Sequence, residues 1–175
     1  MRKSPRLDVD EFRDLVTLMY CTRGTCDRLR AAATLWDKEN RLISGGYNGA
    51  ISGEPHCDDP GVGHMMRDGH CLRTNHDVDN ALLNCSDLRR VEGGTAVVLG
   101  SPCFPCARKL IGKGIARIRF IGTYENSVGK EDVKDLCMRK NVELEYVHIQ
   151  SILLTLEKAL NFLCGSGGPF KPFKE

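Results

Sequence analysis

Neither sign of charge dominates this chain. Its 25 lysines and arginines stand against 23 acids, a formal net charge of +2. That balance argues against the dense basic surface of a nucleic-acid binder and against a polybasic membrane anchor. No apolar run approaches the ~20 residues that cross a bilayer. The opening residues MRKSPRLDVDEF lack the apolar core of a secretory signal. A cytoplasmic protein is expected, with neither a membrane nor a nucleic acid as partner. Internal repeats and low-complexity linkers are also missing. The 175 residues suit one domain around one core, expected over residues 1–165, with 166–175 as a loose tail.

Cysteine, by contrast, is plentiful. Nine cysteines, an odd number, argue against a complete disulfide framework, and in a reducing compartment cysteines near histidines more often mean metal. Cys21, Cys85, Cys137 and Cys164 sit in helical patterns without a ligand partner and read as small apolar residues of the interior.

Hydrophobic periodicity places a helix over 9–21, from Val9, Phe12, Leu15, Val16 and Met19. Two short strands follow around a polar turn, Asp37 to Asn40. Between Gly45 and Asn75 the pattern breaks into a stretch rich in Gly, Pro, Asp and His, long enough to imply a function or a staple. Asn75 is placed to cap a helix over 76–90. TAVVLG, RIRFIG and ELEYVHI read as strands, with helices at CARKLIGKG, 130–140 and 149–164. Strands alternating with helices predict a mixed α/β sheet of about five strands, covered on both faces.

Chemistry concentrates at two places. SPCFPC sets Cys103 and Cys106 two residues apart where a strand gives way to a helix. Two thiolates at that spacing can grip one tetrahedral ion, and helix N-terminal amides stabilise them. His76 begins an earlier helix. Together the three would leave a fourth position open for water, the catalytic type of zinc site. The second place is Cys26, Cys57, His70 and Cys71, in or beside the irregular stretch. Three cysteines and a histidine can close a structural zinc site; the alternative is ordinary buried thiols with a surface histidine. His56 and His64 are reserve ligands, and His148 reads as structural.

The order H-x-x-x-N (His76, Asn80) and then P-C-x-x-C resembles the zinc-dependent cytidine and deoxycytidylate deaminase superfamily. GGYNG at 45–49, GEPHC and GHCLRTNH bring the resemblance closest to bacterial and phage deoxycytidylate (dCMP) deaminases, over roughly residues 10–150. It implies a three-layer α/β/α fold, catalytic zinc on His76, Cys103 and Cys106, and an oligomer. Asn48 would lie in a nucleotide pocket and Asn80 would help shape the site. Some phage members carry a second zinc in the matching region. Tyr124 is a candidate for lining the base pocket, and Arg23, Arg28, Arg30 and Arg73 for holding a phosphate.

One position departs. Family members carry glutamate two residues after the histidine, where it shuttles protons between the zinc-bound water, the ring nitrogen and the leaving amine. Here Val78 stands in its place. Asp77 and Asp79 flank it, but successive helical residues turn by ~100°, so both are expected to point elsewhere. Glu54, Asp58 and Asp59 of the long loop are the remaining acids in range. Losing a general acid/base costs ~10²–10⁴-fold. Two readings stay open: a zinc hydrolase for a pyrimidine nucleotide with an altered proton route, or an inactive relative that binds nucleotide and supports an oligomer or an active paralogue. The noncatalytic subunit of the eukaryotic tRNA wobble adenosine deaminase also carries valine here.

Overall fold

In the computed structural model, which describes residues 6–164, the alternating pattern becomes seven strands and five α-helices. The strands are β1 (Ala32–Trp36), β2 (Leu42–Tyr47), β3 (Met66–Arg67), β4 (His70–Cys71), β5 (Thr95–Leu99), β6 (Arg117–Ile121) and β7 (Glu143–Val147). The helices are α1 (Val9–Cys21), α2 (Asp77–Leu83), α3 (Phe104–Gly112), α4 (Lys130–Arg139) and α5 (Ile149–Cys164), with a 3₁₀ turn at Leu88–Val91. Five strands make one sheet in the order β2-β1-β5-β6-β7. Its first pairs are antiparallel and its last two parallel. β3 and β4 form a separate hairpin inside the long irregular stretch, an element the sequence pattern did not reveal. The expected tail, 166–175, lies outside the described residues.

Helices α2, α3 and α4 cover one face of the sheet, packing Val78, Ala81, Ala107, Leu110 and Val133 onto Ala33, Leu35, Ala96, Val98 and Ile118. Fully burying a side chain such as Leu110 contributes ~1.5–3 kcal/mol. Helices α1 and α5 cover the other face, where Trp36, Val97, Ile121, Val147 and Ile152 cluster. Here the helix periodicity placed the helix and turned Leu15 and Val16 onto the core, but it misled on the rest of the stripe. Val9, Phe12 and Met19 are exposed, and α1 buries Arg13, Asp14 and Thr17 instead. The strands beneath it carry Thr34, Arg117 and Arg119, so polar pairs serve where apolar contact was expected. Thr17 shares a 2.6 Å hydrogen bond with Thr34, and Asp14 accepts two from Arg119 at 2.8 and 2.9 Å. On α5, too, only Ile152 and Thr155 are buried.

The helix expected over 76–90 breaks in two. Asn75 does not cap it: its backbone pairs with Gly49, and its side chain donates to Asn80. His76 is the residue at the cap position. After Asn84 the chain turns, and Asp87 caps the 3₁₀ turn by accepting from the Arg89 amide. Helix α2 then lies almost on the backbone of β2. A Cβ at Gly46 would sit 2.2 Å from the Ala81 amide nitrogen and 2.6 Å from the Asp77 carbonyl.

Candidate metal centre and adjoining cleft

Two helix N-termini converge at the C-terminal edge of the sheet. His76 precedes the first turn of α2, and Cys103 precedes the first turn of α3, where Pro105 is tolerated because its missing N–H has no helical partner to lose. Cys106 lies three residues on and turns back toward Cys103. The ligand atoms of His76, Cys103 and Cys106 all fall within 4.8 Å of one another. His76 Nδ1 is 3.3 Å from Cys106 Sγ and 3.5 Å from Cys103 Sγ. Ligands on a tetrahedral zinc, at about 2.3 Å for sulfur and 2.0–2.1 Å for nitrogen, stand about 3.6 Å apart. The donor set therefore fits zinc in kind and in spacing.

Protons report the same crowding. The Cys103 thiol is held down to about 4, first by a hydrogen bond from Cys106 and then by His76, against the effect of burial. Cys106 is pushed upward by that shared hydrogen bond and by burial. His76 is raised by its bond to Cys103. Two thiols and an imidazole so close together favour loss of one proton, and a bound dication would favour loss of the second.

Val78 has no exposed surface, and both it and Asp77 border the cleft beside this triad. The flanking acids behave differently from each other. Asp79 lies toward Lys109 of α3 and pairs with it, away from the cleft. Asp77 is buried, its carboxyl pushed up to about 7 by burial against the pull of the helix amides, and its Oδ2 has no hydrogen-bond partner. An acid at a helix start is ordinary in sequence, so nothing there announced a buried one.

The cleft encloses about 130 Å³, less than the ~300–1,000 Å³ of pockets for drug-sized ligands. It suits a ring-sized group, with the rest of a ligand in its open mouth. A shallower depression adjoins it, sharing Arg28, His70, Asn126, Ser127 and Val128. Asn48 and Tyr124 line the cleft. The Asn48 side chain is engaged locally, accepting from the Ala31 amide at 2.9 Å and donating to the Leu29 carbonyl, so it sets the shape of the wall formed by 29–31. Asn80 does not border the cleft. It donates to the Tyr47 carbonyl at 2.8 Å and ties α2 to the end of β2. Among the four arginines considered for a phosphate, Arg28 is the one that borders both hollows.

Of the second group of ligands, Cys26 and Cys57 converge with a different histidine, and Cys71 lies beside them. Cys26, Cys57 and His64 bring their ligand atoms within 4.8 Å of one another. Cys71 stands 3.6 Å from Cys57, close to the about 3.8 Å between two sulfurs on one zinc. His70, expected from its place beside Cys71, is not in this group. Neighbours on a strand face opposite sides, so Cys71 turns inward and His70 outward to the cleft mouth. His64 stands in its place. Its Nδ1 is buried with no hydrogen-bond partner, while its Nε2 meets Asp27 at 2.7 Å. A ligating histidine whose other nitrogen is held by a carboxylate has this arrangement. His56 instead bonds to Thr25, and His148 accepts from the Gln150 amide at the start of α5. Of the cysteines expected inside, Cys137 is buried, Cys21 and Cys85 are half-buried, and Cys164 is exposed near the end of α5.

Comparison with known proteins agrees with this geometry. Residues 9–121 match the model of the cytidine and deoxycytidylate deaminase zinc-binding region. The chain is 34% identical over 150 residues to ComE operon protein 2 of Bacillus subtilis, covering 84% of this chain and 76% of that one. It is 30% identical over 122 residues to the deoxycytidylate deaminase of Mycobacterium phage D29, covering 65% of this chain and 94% of that one. Among solved structures, dCMP deaminase of the cyanophage S-TIM5, in complex with dCMP and dUMP, superposes with a TM-score of 0.66 at 20% identity, over 81% of this chain and 98% of that one. At that identity the likeness concerns the fold.

Proposed function

Since the chain belongs to the cytidine and deoxycytidylate deaminase family, we propose that it binds zinc at His76, Cys103 and Cys106 and takes up a pyrimidine nucleotide such as dCMP in the adjoining cleft, with hydrolysis by the family's glutamate route lost. One observation carries this: Val78, at the glutamate position, lies fully buried beside an otherwise intact triad. When bound, zinc supplies Lewis acidity and an acidified water. Val78 has no proton to give or take and presents an apolar floor. Tyr124 offers a ring at the cleft wall, Asn48 fixes the wall formed by 29–31, and Arg28 stands where an anionic group would lie. The fold shared with the S-TIM5 enzyme, solved with dCMP and dUMP, and the name of the phage D29 relative support a nucleotide as ligand. A closed zinc site at Cys26, Cys57, His64 and Cys71 is part of the same proposal. So is assembly with a second copy or an active paralogue, for which the outward Leu153 and Leu154 of α5 offer an apolar surface.

A second reading, an active hydrolase with another proton carrier, is favoured by Asp77, buried beside the triad with its Oδ2 free of any hydrogen bond. The experiment is a zinc count, calorimetric titration with dCMP, and a deamination assay on the wild type, Val78→Glu and Asp77→Asn. Binding without turnover in the wild type, and turnover in Val78→Glu, is the expected result. Wild-type turnover abolished by Asp77→Asn would establish the second reading instead. A zinc-loaded protein that takes up no nucleotide would sink both.

A further inference from the structure

The two ligand groups share a wall. Cys26 and Cys71 belong to the second cluster and also border the cleft, whereas Cys57 and His64 border the cluster alone. Two residues beyond Cys26, Arg28 donates to the Gly69 carbonyl in the β3–β4 turn at 2.9 Å and to the Met66 sulfur at 3.3 Å. The guanidinium is thus held by the hairpin that Cys71 anchors. On that hairpin, turning Cys71 inward presents His70 outward. Arg28 and His70 then border both the cleft and the depression outside it. Lys130, on the same rim, is already engaged by Glu125 at 2.6 Å. Among the described residues no carboxylate pairs with Arg28, which leaves its charge available to an incoming anion.

We infer that the Cys26–Cys57–His64–Cys71 cluster, holding its metal ion, positions Arg28 and His70 for the phosphate of a nucleotide, and so sets the preference for nucleotide over nucleoside. This rests on the nucleotide reading above. The ion need not touch the ligand. It fixes two chain segments: the one leading from Cys26 to Arg28, and the hairpin carrying His70. The base end of the cleft is built on α2, α3 and β5, none of which carries a ligand of this cluster.

Cys57→Ser and, separately, His64→Gln each remove a ligand that does not border the cleft, so an effect on binding must pass through the cluster. Zinc per chain is counted, and dCMP and deoxycytidine are titrated calorimetrically against wild type and both variants. Zinc should fall by one. Affinity for dCMP should fall roughly 10- to 100-fold, the size of one or two lost charge-assisted contacts, while affinity for deoxycytidine holds. An equal loss for both ligands, unchanged dCMP affinity after zinc is lost, or an unchanged zinc count would overturn the inference. If one variant does not fold, the other decides. A wild type that binds neither ligand removes the nucleotide reading itself, and this inference with it. A wild type that binds dCMP, with variants keeping the same preference, removes this inference alone.

Discussion

The triad draws His76, Cys103 and Cys106 from the starts of two helices packed on the sheet, while the second cluster draws Cys26, Cys57, His64 and Cys71 from loops and a two-residue strand. Helix starts give three converging ligands and leave one side open to a cleft, the geometry in which an ion can meet a substrate. Loops can wrap a point completely, and four ligands leave no position free. On the proposed function, the same side-chain chemistry would be divided by backbone type into an open site that can act and a closed one that can hold. An ion held there would also stiffen a stretch with little apolar packing of its own.

Experiments that separate the two should differ in what they abolish. The largest effect is expected from Val78→Glu, which should raise dCMP deamination by ~10²–10⁴-fold, measured by loss of absorbance of the cytosine ring. Because residue 78 has no exposed surface, a fall in stability on the order of 1–3 kcal/mol should accompany the gain. Next, Cys106→Ser in that background should return turnover to the uncatalysed level and remove one zinc, with only a small change in melting temperature. Cys57→Ser should do the reverse to the fold. Its Tm should drop by about 5–10 °C, since a chain of this size loses ~2–4 °C per kcal/mol, with the triad's zinc retained. Equal melting shifts for Cys106→Ser and Cys57→Ser would erase the contrast between open and closed sites.

The smallest effect lies outside both clusters and calibrates them. Burial works against the Asp10 carboxylate, but hydrogen bonds from Arg117 and Arg13 outweigh it and hold its pKa below the ordinary value. A carboxylate depressed in the folded state stabilises above its unfolded pKa, and that contribution is lost as pH falls through the folded one. Asp10→Asn should therefore cost up to about 1 kcal/mol near pH 7, modest because the pair is partly exposed. The difference from wild type should fade below about pH 4, as followed by urea denaturation. A difference that persists in acid would assign Asp10 a packing role instead.

The main sheet was legible because its strands are short segments, apolar in β1 and β5 and alternating in β6 and β7, punctuated by glycine and polar turns. The triad was legible because Cys103 and Cys106 sit at fixed spacing on one helix start. What could not be read lay in the irregular stretch. Which of His56, His64 and His70 faces the cysteines depends on a two-residue hairpin whose pattern is too short to register as a strand. Nor did spacing foretell that α1 would bury Arg13 and Asp14, since Arg119, the partner of Asp14, lies more than a hundred residues away in sequence and Asn40, a partner of Arg13, in the turn after β1. Asp77 was hidden for a related reason: its burial comes from the packing around α2, not from its neighbours in the chain.

Gly46 carries a consequence for metrology. A metal site tolerates errors of only ±0.2 Å in ligand distance, and α2 is clamped to β2 where one hydrogen replaces a methyl group. Gly46→Ala would act as a shim: a carbon 2.2 Å from the Ala81 amide must lift the helix by more than an ångström to reach ordinary contact, roughly 3.4 Å or more. His76 rides at the end of that helix. The spacing of the His76–Cys103–Cys106 triad is thus kept by a residue with no side chain, on a strand that contributes no member of it.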